Sequence, residues 1–168
     1  MTGNLIRDII YDFCYAAAWA PSKEKPYLLP NTSERPADVF VPNCSFGKDL
    51  VLDAAITCPL QHKYLNDASV TAGFACNDSA ENIKQKNFPV RVEQEGFLYL
   101  PFILETFGGF SDDVADFIHR LASNVATRLN DSKASIQKNM YEMISCVLIN
   151  EVFSKISVSR FEEFCQPF

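Results

Sequence analysis

The chain has 168 residues, of which 48% are hydrophobic and 21% are charged. This size and composition are those of one globular domain, so an intrinsically disordered chain is excluded. The formal net charge of −6 also excludes a protein that coats nucleic acid through its general surface field, because such proteins are basic.

Three features favour an intracellular protein, in the nucleus or the cytoplasm. No apolar run approaches the ~20 residues needed to cross a bilayer, so no membrane partner is expected. The first ten residues lack the basic and then apolar layout of a signal peptide. The six cysteines are scattered without a C-x-x-C pair, which favours neither structural zinc nor a disulfide framework.

The N-terminal third predicts one helix followed by two strands. Apolar residues spaced by three or four predict an amphipathic helix over 4–20, which a proline ends. A proline-rich loop follows, with a short extended stretch at 27–29. Two strands are then predicted over 38–41 and 50–57, joined by a polar turn over 43–48.

The remainder of the chain predicts mostly helices. Asp78 is expected to cap one of them, because a glutamate three residues later completes a capping-box pattern. Ser111 is expected to cap another, whose first turn carries two aspartates. The predicted elements are helices over 62–76 and 79–88, a strand over 97–104, a helix after Ser111 and a last helix over about 133–155. Helical spacing predicts that the last two helices each bury an apolar stripe, which is Val114, Phe117, Ile118, Leu121 and Val125 in the first and Ile136, Met140, Met143, Ile144, Val147 and Leu148 in the second.

This order of elements predicts a mixed α/β fold in which helices flank a small central sheet. We expect a single domain over 1–168, with a core over about 1–110 and a helical C-terminal part over about 111–160. The C-terminal helices could also supply the interface of a homodimer.

Two aspartates interrupt otherwise apolar strands. Asp53 lies in the middle of the second strand, on the face opposite its core-facing leucines, and Asp38 begins the neighbouring strand. A carboxylate in apolar surroundings is unfavourable unless it is paired or binds a cation. Two such carboxylates on adjacent strands can share a hard cation such as Mg²⁺. The alternative is that Asp38 caps a turn and Asp53 pairs with a lysine.

Five short segments carry the clearest functional signal. They are, in chain order, GNLIRDIIYDFCYAA, APSKEKPYLLP, RPADVFVPN, LDAAITCPL and LPFILETFGGF. Together they resemble the restriction-endonuclease-like, or PD-(D/E)XK, nuclease superfamily, and especially the nuclease domains linked to reverse transcriptases of non-LTR retroelements. The resemblance implies a DNA endonuclease that uses Mg²⁺ or Mn²⁺. It also implies a larger retroelement-like protein, in which further domains or proteins supply target recognition.

The resemblance implies a role for each matching residue. Asp38 and Asp53 would be catalytic metal ligands, and Glu24 matches a third acidic ligand of related nucleases. The usual family lysine would stand at Ala55, so this chain departs from the simple motif. In the retroelement branch the following helix supplies that lysine, and Lys84 stands there as the catalytic candidate, with its ammonium expected to point toward Asp53.

Two further positions complete the candidate set. Lys86 is expected to contact DNA, and Glu105 is a candidate for a supporting role next to the metal ligands. Each assignment has a structural alternative: Lys84 could simply pair with Glu81, Glu24 could be a solvated loop charge, and Glu105 could bind backbone donors at its turn.

A second function stays open beside the endonuclease. The chain could be a catalytically inactive nuclease-like fold that serves as a nucleic-acid-binding or assembly module. Ala55, the asparagine at position 87 and the acidic charge balance favour this alternative. An α/β protein unrelated to nucleases is a third possibility.

Overall fold

The computed structural model describes the backbone of residues 2–30, 37–45 and 47–164, and the side chains of residues 5–30, 37–44 and 47–150. The elements are α1 (Thr2–Ala16), β1 (Ser22–Lys23), β2 (Val39–Ser45), β3 (Lys48–Thr57), α2 (Leu65–Ala68), α3 (Phe74–Lys84), α4 (Asn87–Gln94), β4 (Leu98–Glu105), α5 (Asp112–Leu129) and α6 (Lys133–Phe164). The predicted mixed α/β class is confirmed.

The four strands form one mixed sheet in the order β1-β2-β3-β4. The first three strands are antiparallel, and β4 runs parallel to β3. The β3–β4 register places Pro101 in the middle of β4, next to Asp53 of β3. The predicted strands over 50–57 and 97–104 are therefore neighbours, as β3 and β4. The helices between them make the crossover that parallel strands require.

Helices cover both faces of the sheet. The main core lies between the sheet and helices α1, α5 and α6, and Phe102 and Phe117 are among its fully buried side chains. The helical C-terminal part thus shares this core with the sheet. The predicted stripe of α5 is buried throughout, and it consists of Val114, Phe117, Ile118, Leu121 and Val125.

The opposite face packs against α3 and α4 through two smaller clusters. One cluster includes Phe40 and Val51 of the sheet with Val92 of α4. The other joins Cys76 and Ala80 of α3 to Ile103 of β4. Asp53 lies on this second face of the sheet, because side chains alternate along β3.

Several predicted boundaries are wrong. Helix α1 ends at Ala16 instead of residue 20, because Ala18 and Ala20 adopt left-handed backbone angles. Arg128 of α5 donates hydrogen bonds to the last carbonyls of α1, which stabilises this early end. The extended stretch forms at Ser22–Lys23 and not at 27–29.

The region between β3 and β4 also differs from prediction. The expected helix over 62–76 is reduced to α2, and the expected helix over 79–88 is replaced by α3 and α4. Gly73, with a φ of 76°, is the N-cap of α3, so Asp78 lies inside the helix and is not its cap. A left-handed cap suits glycine, which the capping-box pattern does not detect.

The last helix, α6, continues to Phe164, past the predicted end at about residue 155. Four of its predicted stripe residues are buried in the main core, namely Ile136, Met140, Ile144 and Leu148. Met143 is exposed, contrary to prediction, and Val147 is half-buried.

Across the described residues, no helix combines the length and apolarity needed to cross a membrane. The described cysteines are free thiols, and they are Cys14, Cys44, Cys58, Cys76 and Cys146. Burial raises the pKa of the Cys76 thiol to about 12 and also raises that of Cys14, so these two are protonated at neutral pH. Cys165 lies outside the described residues.

Candidate acidic site

Asp38 and Asp53 meet on the face of the sheet that α3 and α4 cover. Val39 pairs with Leu52 across the β2–β3 ladder, so Asp38 lies opposite Asp53 just before β2 begins. The Asp38 Oδ2 atom accepts a hydrogen bond of 2.8 Å from the backbone N–H of Ala54. This bond ties the Asp38 carboxylate to β3, where its charge acts on the Asp53 carboxyl.

The environment of Asp53 favours its protonated form. Burial and the nearby Asp38 charge raise the pKa of Asp53 from 3.8 to about 6. The Tyr99 hydroxyl donates a hydrogen bond of 3.3 Å to Asp53 Oδ2, which opposes the rise. Above pH 6 two negative charges therefore face each other in a partly buried site, an arrangement that a bound cation would stabilise.

Lys86, and not Lys84, is the lysine whose charge acts on the pair. Lys86 is the exposed N-cap residue of α4, and its positive charge lowers the pKa of Asp53. Lys84 Nζ instead donates hydrogen bonds to Asp113 at 2.7 Å and to Glu81 at 3.2 Å. The hydrogen bond to Asp113, followed by that to Glu81, raises the pKa of Lys84.

The expected orientation of Lys84 toward Asp53 is therefore wrong. Its ammonium lines a cleft of about 540 Å³ beside β4, together with Asp113 and His119 of α5. Lys84 ends α3 beside the outermost strand, so its side chain reaches the first turn of α5. Lys84 does form the i, i+3 pair with Glu81 that was the structural alternative to a catalytic role. Its shorter hydrogen bond is to Asp113, 29 residues away in the chain.

Glu24 lies near the pair through its backbone, but its side chain is engaged elsewhere. Its N–H donates to the Asp38 carbonyl at 3.2 Å, and its carboxylate accepts a hydrogen bond from Arg7 of α1. Within the described residues, no group of three or more His, Cys, Asp or Glu side chains is arranged to hold a metal ion. The Glu24 carboxylate thus lies with Arg7 of α1, and its role as a third ligand beside Asp38 and Asp53 stays a prediction.

Glu105 has a structural role in this geometry. Its carboxylate is 7% exposed and accepts hydrogen bonds from the backbone N–H groups of Ala75 and Cys76, in the first turn of α3. A Cβ atom at Gly109 would lie 2.3 Å from Glu105 Oε2, so only glycine fits there without displacing the carboxylate. Glu105 therefore binds backbone donors, as its structural alternative predicted, but these donors belong to α3 and not to the turn after β4.

Sequence patterns missed three side chains that organise the site. Tyr99 holds Asp53, Arg7 holds Glu24, and Asp113 holds Lys84. For Tyr99 a signal exists, because strand alternation puts it on the same face as Asp53 once β3 and β4 are known to be paired in this register. The other two pairs join separate elements and leave no local pattern.

The donor set suits a hard divalent cation with an open coordination sphere. Mg²⁺ is commonly held by one or two carboxylates together with waters and phosphate oxygens, and Asp38 and Asp53 supply two carboxylates. The chain matches no protein-family model, and no curated protein or solved structure matches it significantly. The interpretation of the site therefore rests on this acidic pair, its tyrosine and its lysine.

Proposed function

We propose that the chain is a metal-dependent endonuclease domain that hydrolyses phosphodiester bonds in DNA. The observation that carries the proposal is the convergence of Asp38 and Asp53, with the Asp53 pKa raised to about 6. Such perturbed carboxyl pairs are typical of functional sites. The mixed sheet flanked by helices supports a restriction-endonuclease-like core.

Asp38 and Asp53 would hold Mg²⁺ or Mn²⁺. When bound, such a cation supplies Lewis-acid stabilisation of the phosphate and a more acidic attacking water. The fit rests on the carboxylate donors and on the mutual repulsion of the pair, which one divalent charge relieves.

The chain's own residues position these groups and balance charge. The Ala54 N–H fixes the Asp38 carboxylate, and the Tyr99 hydroxyl orients Asp53. The Lys86 ammonium, whose charge acts on Asp53, would offset negative charge that builds on the phosphate during cleavage. In this proposal Lys86 takes the catalytic role that the sequence assigns to Lys84.

DNA affinity would come largely from outside this acidic chain. A net charge of −6 opposes nonspecific binding to a polyanion, so target recognition would be supplied by further domains of a retroelement-like protein or by partner proteins. Lys86 would then act locally at the site.

A second candidate is an inactive nuclease-like module for nucleic-acid binding or assembly. Two observations favour it: Lys84 is held by two carboxylates, and Ala55 occupies the usual lysine position of the family. In this case the acidic pair would be present without the cation that cleavage requires.

Nicking of a supercoiled plasmid in Mg²⁺ or Mn²⁺ separates the two candidates. We expect nicking by the wild type, its loss in EDTA and its loss in Asp53→Asn. Asp116→Asn, on the exposed face of α5, is the matched control and should nick normally. A wild type that neither nicks nor gains thermal stability from either metal would replace the endonuclease proposal with the inactive module.

A further inference from the structure

Lys25 lies on the same face of the sheet as the acidic pair. Its Nζ stands 3.7 Å from the ring centroid of Phe40. Phe40 follows Asp38 by two residues, so the two side chains share a face and are about 7 Å apart along the strand. This places the Lys25 ammonium on the same sheet face as Asp38, over Phe40, on the side of the site formed by β1 and β2.

The segment that carries Lys25 is joined to the Asp38 backbone and to α1 by hydrogen bonds of Glu24. Glu24 adopts a left-handed φ of 46°, and its N–H donates to the Asp38 carbonyl. The Glu24 carboxylate binds Arg7, which anchors the segment to α1. A non-glycine residue keeps such a backbone only where its surroundings impose it, and such positions concentrate at functional sites.

Phe40 also restrains the Lys25 side chain. The ring is 3% exposed and packs edge-on against Phe97, so it is a rigid platform. A cation held over a fixed ring loses rotamer freedom before any ligand binds, which favours later anion binding.

Lys25 differs from its neighbour Lys23 in its charge partners. Among the described residues, no carboxylate lies within ion-pair distance of Lys25 or Lys86. By contrast, Lys23 Nζ is bound to Asp8 at 2.8 Å and Lys84 Nζ to Asp113 at 2.7 Å. Two lysines without a carboxylate partner among the described residues thus lie around the acidic pair, Lys25 over Phe40 on the β1–β2 side and Lys86 at the start of α4.

We propose that Lys25 binds a backbone phosphate of the substrate nucleic acid next to the phosphate that the acidic pair receives. The inference rests on the proposed function and adds a positioning residue to it. A polyanion that crosses two aspartates needs cations on both sides, and Lys25 and Lys86 supply them in a chain that is otherwise acidic. Lys25 contacts the ligand and not the reacting atoms.

The test compares the DNA affinity of Lys25→Ala with that of Lys23→Ala. The two lysines belong to one segment, and of the two only Lys23 pairs with an aspartate among the described residues. A labelled DNA duplex is titrated with each full-length variant in Ca²⁺, with binding followed by fluorescence anisotropy. Plasmid nicking in Mg²⁺ is measured in parallel. Equal melting temperatures of the variants establish that both fold.

We expect Lys25→Ala to raise Kd and KM about tenfold, to leave kcat unchanged and to lower the salt slope of binding by about one. Lys25→Arg should restore binding, and Lys23→Ala should behave as wild type. Equal affinities for Lys25→Ala and Lys23→Ala, or no binding by the wild type, would overturn the inference. A wild type that binds but never nicks would overturn only the proposed endonuclease, since the anisotropy difference is measured without cleavage.

Discussion

Glu105 and Asp53 are carboxylates on neighbouring strands of one sheet face, yet their surroundings differ. Glu105 is buried and accepts two backbone hydrogen bonds from the first turn of α3. Asp53 is partly buried and faces another carboxylate, with one tyrosine hydroxyl as its donor. The difference shows that burial alone does not mark a functional acid. A satisfied carboxylate holds the fold together, whereas an incompletely satisfied pair is available for a ligand.

The largest expected effect is the loss of Glu105. Glu105→Ala leaves two buried N–H groups of α3 without acceptors, so we expect the free energy of unfolding to fall by about 3 kcal/mol. Glu105→Gln keeps an oxygen that can accept both hydrogen bonds and loses only the negative charge, so it should lose roughly half as much. Urea unfolding of both variants measures this. A loss below about 1 kcal/mol for Glu105→Ala would remove the contrast between the two acids.

Asp53→Asn should instead raise the free energy of unfolding at neutral pH. The unfolded chain releases the Asp53 proton near pH 3.8, while the folded protein holds it to about pH 6. Wild-type stability therefore falls as the pH rises from about 4 to 6, and the loss persists above pH 6. We expect Asp53→Asn to be more stable than the wild type by roughly 2 kcal/mol at pH 7.5 and equal to it at pH 3.5.

The same urea unfolding, repeated at both pH values, measures this effect of Asp53. Asp116→Asn, which removes an exposed carboxylate, is the control and should change stability little at either pH. An Asp53→Asn protein less stable than the wild type at pH 7.5 would show that the Tyr99 hydrogen bond outweighs burial and the Asp38 charge.

A divalent cation should stabilise the protein only through the acidic pair. At ten times its Kd, Mg²⁺ or Mn²⁺ should add about 1.4 kcal/mol to the free energy of unfolding at pH 7.5. The gain should shrink at pH 5, because the proton on Asp53 competes with the cation. Thermal shifts of the wild type, Asp38→Asn and Asp53→Asn test this, and an equal shift in all three would place the cation elsewhere.

The smallest expected effect on stability distinguishes the two lysines of the α3–α4 region. Lys84→Ala breaks exposed pairs with Asp113 and Glu81 and should lower stability by about 0.5 kcal/mol, with nicking unchanged. Lys86→Ala should raise the Asp53 pKa further, which lowers stability only slightly and only above about pH 6, and should reduce kcat. Carboxyl titration by NMR and the nicking assay measure these outcomes, and a loss of nicking in Lys84→Ala would return the catalytic role to Lys84.

Local patterns predicted much of the sheet and its acidic pair. Strand alternation alone put Asp53 on the face opposite the main core, and the turn between the strands placed Asp38 next to it. The buried stripe of α5 also followed from helical spacing. These features depend on neighbours within a few residues, which the sequence displays directly.

What could not be predicted depends on long-range partners. The orientation of Lys84 is decided by Asp113, and that of Glu24 by Arg7. The start of α3 is decided by Gly73 in a left-handed conformation and by Glu105 from a distant strand. In each case a contact between separate elements overrides the local preference, so a periodic pattern cannot reveal it.

Pro101 limits how the protein can assemble. Glu105 directs its N–H outward from β4 to the Gly109 carbonyl, so by alternation the Pro101 nitrogen also points away from β3. A proline there offers no donor to an incoming strand, which protects the outer edge of β4 from edge-to-edge aggregation and strand exchange between copies. A homodimer of this protein would accordingly not extend its sheet through the β4 edge.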